Sequence, residues 1–93
     1  MSEDPKGLPG PKKNGPRLDR PWRVVLYNDD VHNFEDVVRQ IRKATGSSLL
    51  KAMEITYLAH NEGQSVVFEG SFVECQSVAD VMREIGLLVQ IFG

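Results

Sequence analysis

The stretch WRVVLYNDDVHNFEDVV, residues 22–38, changes character twice. Its opening is rich in β-branched and aromatic side chains. Trp22, Val24 and Leu26 fall on one side and Val25 and Tyr27 on the other, the period-two pattern of a strand with at least one buried face. Asn28, Asp29 and Asp30 break that run. Asn33 is then a good helix N-cap, and Phe34, Val37, Val38 and Ile41 recur at helical spacing until Gly46, which predicts a helix over residues 34–45. A strand therefore runs into a helix through an amide and two adjacent carboxylates.

Towards the C-terminus, Ser47 and Ser48 can cap a second helix. Leu49, Met53, Thr56 and His60 fall on one line of it, and Gly63 supplies the stop. QSVVFE, residues 64–69, reads as a short strand. Ser71 followed three residues later by Glu74 is a capping-box signature. Cys75, Val78, Met82 and Ile85 then form the apolar stripe of a third helix expected to end at Gly86. LLVQIF, residues 87–92, reads as the last strand. The order β-α-α-β-α-β predicts an α+β fold, a three-stranded antiparallel sheet covered on one face by three helices. Phe34, Val37 and Met53, at helical spacing, are core residues by default.

Towards the N-terminus, residues 1–20 hold four of the five prolines and three of the eight glycines, with Leu8 and Leu18 as the only large apolar side chains after Met1. Such a composition cannot offset its ordering entropy by burial, so a disordered extension is expected there, with the folded domain spanning residues 21–93. The whole chain of 93 residues fits one small domain. Its net charge of −2 argues against nucleic acid as the main partner. No run of eighteen apolar residues occurs, so no membrane span is expected. One cysteine, Cys75, cannot make an intramolecular disulfide. A reducing compartment and a cytoplasmic location are the expectation.

No phosphate loop, CxxC or HExxH motif is present, and Cys75 sits within a helical apolar stripe, so an enzyme is not expected. What remains is one polar cluster, Asn28, Asp29, Asp30 and His32 at the strand-to-helix junction, with His60 toward the end of the second helix. If the first two helices pack as a hairpin, the end of the second returns to the start of the first and His60 can face Asn28, Asp29 and Asp30. Carboxylates, an amide oxygen and a neutral imidazole nitrogen are all acceptors, and acceptors beside negative charge suit an ammonium group. Phe34, Val37, Thr56 and Ala59 lie on the adjoining helix faces and offer an apolar floor. The free N-terminus of a peptide with a bulky first residue has the matching shape.

A plain turn explains the same residues. Asp and Asn are favoured at turns and at helix N-termini, where a carboxylate meets the positive end of the helix dipole for roughly 0.3–1 kcal/mol. As exposed turn positions, Asn28 and Asp29 are expected to contribute no more than about 1 kcal/mol to stability. By the same reading His32 is exposed, and His60 alone is a helix-end histidine. Asp29, Asp30, His32 and His60 include possible metal ligands, but no metal-ligand spacing motif joins them, and neither a metal nor another cofactor is expected.

RVVLYNDDVHNFEDVV resembles the strand-loop-helix signature of the ClpS adaptors, and AHNEG, residues 59–63, resembles their second signature, a histidine ending helix two before a Gly and a strand. The resemblance covers about residues 22–92. It implies a monomeric adaptor that binds N-degrons, proteins beginning with Phe, Leu, Trp or Tyr, and delivers them to the N-terminal domain of a Clp AAA+ unfoldase. Matched position by position, the α-amino-binding roles fall on Asn28, Asp29, Asp30 and His60, and the pocket lining on Phe34, Val37, Thr56 and Ala59. An N-terminal extension used in delivery would correspond to residues 1–20. The chain departs from the family pattern in having His32 and Asn33 where Thr-Pro is frequent, and Phe34 where Met is usual. The same element order also resembles the C-terminal domain of the bacterial ribosomal stalk protein, which would make the chain a passive docking module without an ammonium pocket. A metal-dependent hydrolase is a third possibility, and would require bound metal.

Overall fold

In a computed structural model that describes residues 21–93, six elements follow in the expected order. They are β1 (Trp22–Tyr27), α1 (Phe34–Thr45), α2 (Leu49–Glu62), β2 (Gln64–Gly70), α3 (Phe72–Arg83) and β3 (Val89–Phe92). The extension expected over residues 1–20 lies outside the described residues.

β1 is the central strand, with β2 and β3 antiparallel on either side. Val24 and Leu26 point into the core against Val37, Val38 and Ile41 of α1, Ala52 and Ile55 of α2, and Val78 and Met82 of α3. A register shift between Val24 and Val25 leaves Val67 opposite no residue of β1, and the bulge lets both Val67 and Phe68 reach that core. Val25 faces the other way, with Tyr27, whose hydroxyl donates to Gln90 Oε1 at 2.9 Å, and Arg23, whose guanidinium lies over the Phe92 ring. All three helices cover the Val24 and Leu26 face.

The helix starts follow local chemistry. Asn33 accepts from the Asp36 N–H and Ser48 from the Lys51 N–H, while Ser71 and Glu74 satisfy each other's backbone donors. Ser71→Ala should cost about 1 kcal/mol and lower the melting temperature by roughly 4–8 °C, as thermal unfolding by circular dichroism would measure.

Two expectations are corrected. α3 ends at Arg83, not at Gly86. The Glu84 N–H donates to Val81 O and the Gly86 N–H to Arg83 O, three-residue bonds that tighten the chain out of the helix. The Gln40 side chain, buried on α1, donates to Val81 O at 2.6 Å and secures that end, leaving Ile85 outside the apolar stripe. β3 is correspondingly shorter, Val89–Phe92. Of the default core residues only Val37 is buried: Phe34 is 42% and Met53 40% exposed. The buried line of α2 runs through Ala52, Ile55, Thr56 and Ala59, a different face from the one containing Leu49, Met53 and His60.

Sheet register brings the two halves of the polar cluster together. Tyr27, the last residue of β1, pairs with Gln64, the first of β2, immediately after the α2 cap. The Asn28 N–H donates to Gly63 O at 3.0 Å, and Gly63, with φ of 91°, turns the chain from α2 into β2. Tyr27 N–H donates to Leu88 O on the other side, so the end of β1, where the loop begins, is held by the residues that lead into both neighbouring strands.

Candidate functional site

The end of β1, the loop after it and the C-terminal half of α2 enclose a cavity of about 380 Å³. Asn28, Asp29, Asp30 and His60 line its polar side, and Phe34, Val37, Thr56 and Ala59 its apolar side. All eight residues singled out in the sequence thus meet at one cavity. Leu26, Tyr27, His32 and Leu87 complete the wall; His32 belongs to the polar cluster read from the sequence, without a binding role, and the other three do not. Leu26 and Tyr27 read as strand residues, and Leu87 enters from the α3–β3 connection, which no local pattern ties to the loop.

The apolar floor is graded. Val37, Thr56 and Ala59 are buried, whereas Phe34 stands at the rim with a large part of its ring exposed. Thr56 Oγ1 donates to the Ala52 carbonyl at 2.8 Å, a bond within α2 that satisfies its buried hydroxyl and leaves its methyl as apolar surface.

The polar wall divides unequally. Asn28 and Asp30 are exposed, as is His60, so their acceptor atoms are open to a ligand. Asp29 is committed to the loop. Its Oδ1 accepts from the Val31 and His32 N–H groups at 2.8 and 2.9 Å, and its Oδ2 from His32 Nδ1 at 2.8 Å. Burial acts to raise the Asp29 pKa, but these bonds and the nearby imidazole outweigh it and hold the carboxyl below the usual value of 3.8. His32 differs from its expected exposure, since only 16% of its side chain is accessible, and 15% for Asp29.

This arrangement changes the expected cost of substitution. Asp29→Ala removes three hydrogen bonds from a shielded loop and should destabilise the fold by about 1–3 kcal/mol, where Asn28→Ala stays within about 0.5. Urea denaturation of both variants measures the difference. Because the native Asp29 pKa is depressed, its contribution is present above the unfolded value and is lost as pH falls through the native value, below 3.8.

Cys75 is fully buried and unpaired, and burial, the main cause, pushes its thiol up, away from thiolate reactivity. Among the described residues no three or more His, Cys, Asp or Glu side chains are grouped to hold a metal ion. Within the same residues no helix is long and apolar enough to cross a membrane.

Residues 17–89 match the family described as ATP-dependent Clp protease adaptor protein ClpS. An ATP-dependent Clp protease adapter protein ClpS from Nocardia farcinica is 42% identical over 53 residues, which is 57% of this chain and 50% of that relative. One from Rhodococcus jostii is 40% identical over 53 residues, 57% of this chain and 47% of that protein. The chain thus spans about half the length of these curated relatives. The E3 ubiquitin-protein ligase UBR1 of Drosophila melanogaster is 37% identical over 55 residues, 59% of this chain but 3% of the ligase. Among solved structures, Agrobacterium tumefaciens ClpS2 bound to L-phenylalaninamide superposes with a TM-score of 0.72 at 20% identity, covering 77% of this chain and 94% of that one.

Proposed function

This chain belongs to the family of ATP-dependent Clp protease adaptor proteins, ClpS, and on that premise we propose that it is a non-catalytic adaptor. It binds N-degron substrates, proteins with a free α-amino group and a bulky hydrophobic first residue, and delivers them to the N-terminal domain of a Clp AAA+ unfoldase in the cytoplasm. The observation that carries this reading is the single cavity in which Asn28, Asp30 and His60 present open acceptors beside the apolar floor of Val37, Thr56 and Ala59.

The α-ammonium sits among Asn28, Asp30 and His60, whose side chains line the polar side of the cavity. Asp29 adds negative charge and holds the loop, with little spare acceptor capacity of its own. The first side chain enters the apolar side, with Phe34 closing over it from the rim. An α-ammonium has three donors, and charge-assisted bonds of this kind contribute about 1.5–3 kcal/mol each. Phenylalaninamide, bound by the Agrobacterium protein, carries the same pair of groups.

The experiment is a panel of labelled peptides differing only in the first residue, with affinity read by fluorescence anisotropy. Phe, Leu, Trp and Tyr at the first position should bind and Gly or Asp should not. Asn28→Ala should weaken the Phe peptide by roughly tenfold through loss of one charge-assisted bond, with its melting temperature little changed. Equal affinity across the panel would reduce the cluster to a strand-to-helix turn.

A further inference from the structure

We propose that His32 is a positioning residue, a doubly protonated imidazolium that clamps the loop carrying Asn28, Asp29 and Asp30 to the carbonyl of Ile85 in the α3–β3 connection. The geometry is specific. Nδ1 lies 2.8 Å from Asp29 Oδ2, and Nε2 faces Ile85 O. A backbone carbonyl can only accept, and an ionised carboxylate can only accept. A neutral imidazole has one N–H and could satisfy one of these two oxygens, leaving its other nitrogen lone pair against a second acceptor. Both contacts are satisfied together only when both nitrogens carry protons.

The surroundings agree. Asp29 is held ionised by its backbone donors, and Asp36 in the first turn of α1 adds a second negative charge near the ring. From the α3–β3 side the ring meets the Ile85 carbonyl. Glu84, next to Ile85, is turned to Lys43 of α1 at 2.8 Å. Gly86, at φ of 83°, adopts the left-handed turn that carries the chain past the ring, and a Cβ there would lie at an ordinary contact distance of 3.9 Å from it. The Ile85 carbonyl and the Asp29 bonds together raise the His32 pKa above 6.5. His60 lines the same cavity from α2 and is the only other histidine in the chain.

The clamp matters because it joins two parts of the cavity wall that sequence separates, the loop after β1 and the segment ahead of β3 containing Leu87. Its effect on ligand binding rests on the reading of that cavity as an ammonium receptor. Its existence does not. The raised native pKa means that the clamp stabilises the fold fully below pH 6.5 and is lost as pH rises through the native value. Asp29 sets the other limit, so the intact clamp spans the window between the two native pKa values, one below 3.8 and one above 6.5.

Long-range nitrogen–proton NMR of the His60→Asn chain, which leaves His32 as its only imidazole, reads the ring directly. Both His32 nitrogens should be protonated at pH 6.5, with a titration midpoint above that value; a neutral tautomer with one protonated nitrogen overturns the proposal. The second measurement compares the full chain with His32→Asn from pH 6 to pH 9. Melting temperature should fall more steeply with pH in the wild type than in the variant. His32→Asn should bind the Phe peptide roughly tenfold more weakly at pH 6.5, with the gap closing at high pH as the wild type loses the same charged bonds. Comparing the proteins at each pH cancels titration of the peptide amine. A gap of constant size at every pH would make His32 a packing residue and overturn the clamp. Should the wild type bind no peptide, the adaptor reading fails while the NMR and melting data still decide the clamp.

Discussion

Acetylating the α-amine of a Phe-initiated peptide should weaken its binding by roughly a hundredfold. Acetylation removes the positive charge and two of three donors while leaving the aromatic side chain intact. Two charge-assisted hydrogen bonds at about 1.5–3 kcal/mol each would by themselves exceed this loss. The exposed positions of Asn28, Asp30 and His60 moderate it, since water can solvate the acceptors left behind. Mono-methylation of the same amine retains the charge and two donors, and should cost far less. Anisotropy or calorimetry with the three peptides separates charge recognition from a purely apolar pocket, for which all three would bind alike. The same comparison separates an ammonium receptor from the docking module suggested by the stalk-like element order.

Ile41→Ala should produce the largest loss of stability of any variant considered. Ile41 is fully buried at the centre of α1, among core side chains from β1 and the other two helices. Truncation removes buried apolar surface and leaves a cavity that the surrounding elements can only partly close, together about 2–5 kcal/mol. A domain of this size has roughly 4–11 kcal/mol in total. A loss of that fraction should move the melting temperature down by about 10–30 °C. Ile41→Val, deleting one methylene, should cost about 0.5–1.5 kcal/mol. Chemical denaturation of both gives the ratio; near-equal effects would mean that the core repacks around the missing atoms. Peptide affinity of whatever fraction stays folded should be unchanged, because Ile41 does not line the site.

Much of the fold was legible because its punctuation is local. Asn33, Ser48 and Ser71 each cap a helix with their own side chains, and Gly63 ends α2 where the sequence placed it. That the eight candidate residues line one cavity was legible because a polar interruption after a strand and a histidine at a helix end each stand out from their surroundings. α3 ends before its apolar periodicity does because its end is decided elsewhere: Gln40 of α1 takes the Val81 carbonyl, and Arg83 reaches the Val89 carbonyl. The shielding of His32 escapes the sequence for a related reason. One of its two partners, the Ile85 oxygen, is a backbone atom, and backbone acceptors leave no mark on residue identity. Phe34 and Met53 show the limit of periodicity, since helical spacing identifies a face without saying whether another element covers it.

The bond from Asn28 to Gly63 joins the cavity loop to the junction of α2 and β2, so the cavity exists only while β1 and β2 are in register. An unfolded chain has no such cavity, and a ligand spanning Asn28 and His60 therefore binds only the folded one. By mass action it adds about 2.7 kcal/mol of stability at a concentration of 100 Kd. The Asn28 amide is the natural reporter: with the ligand present, its exchange with deuterated solvent should slow together with that of the β1–β2 amides. A ligand held in the cleft would thus also stitch strand to helix end, making the occupied fold harder to pull apart than the empty one.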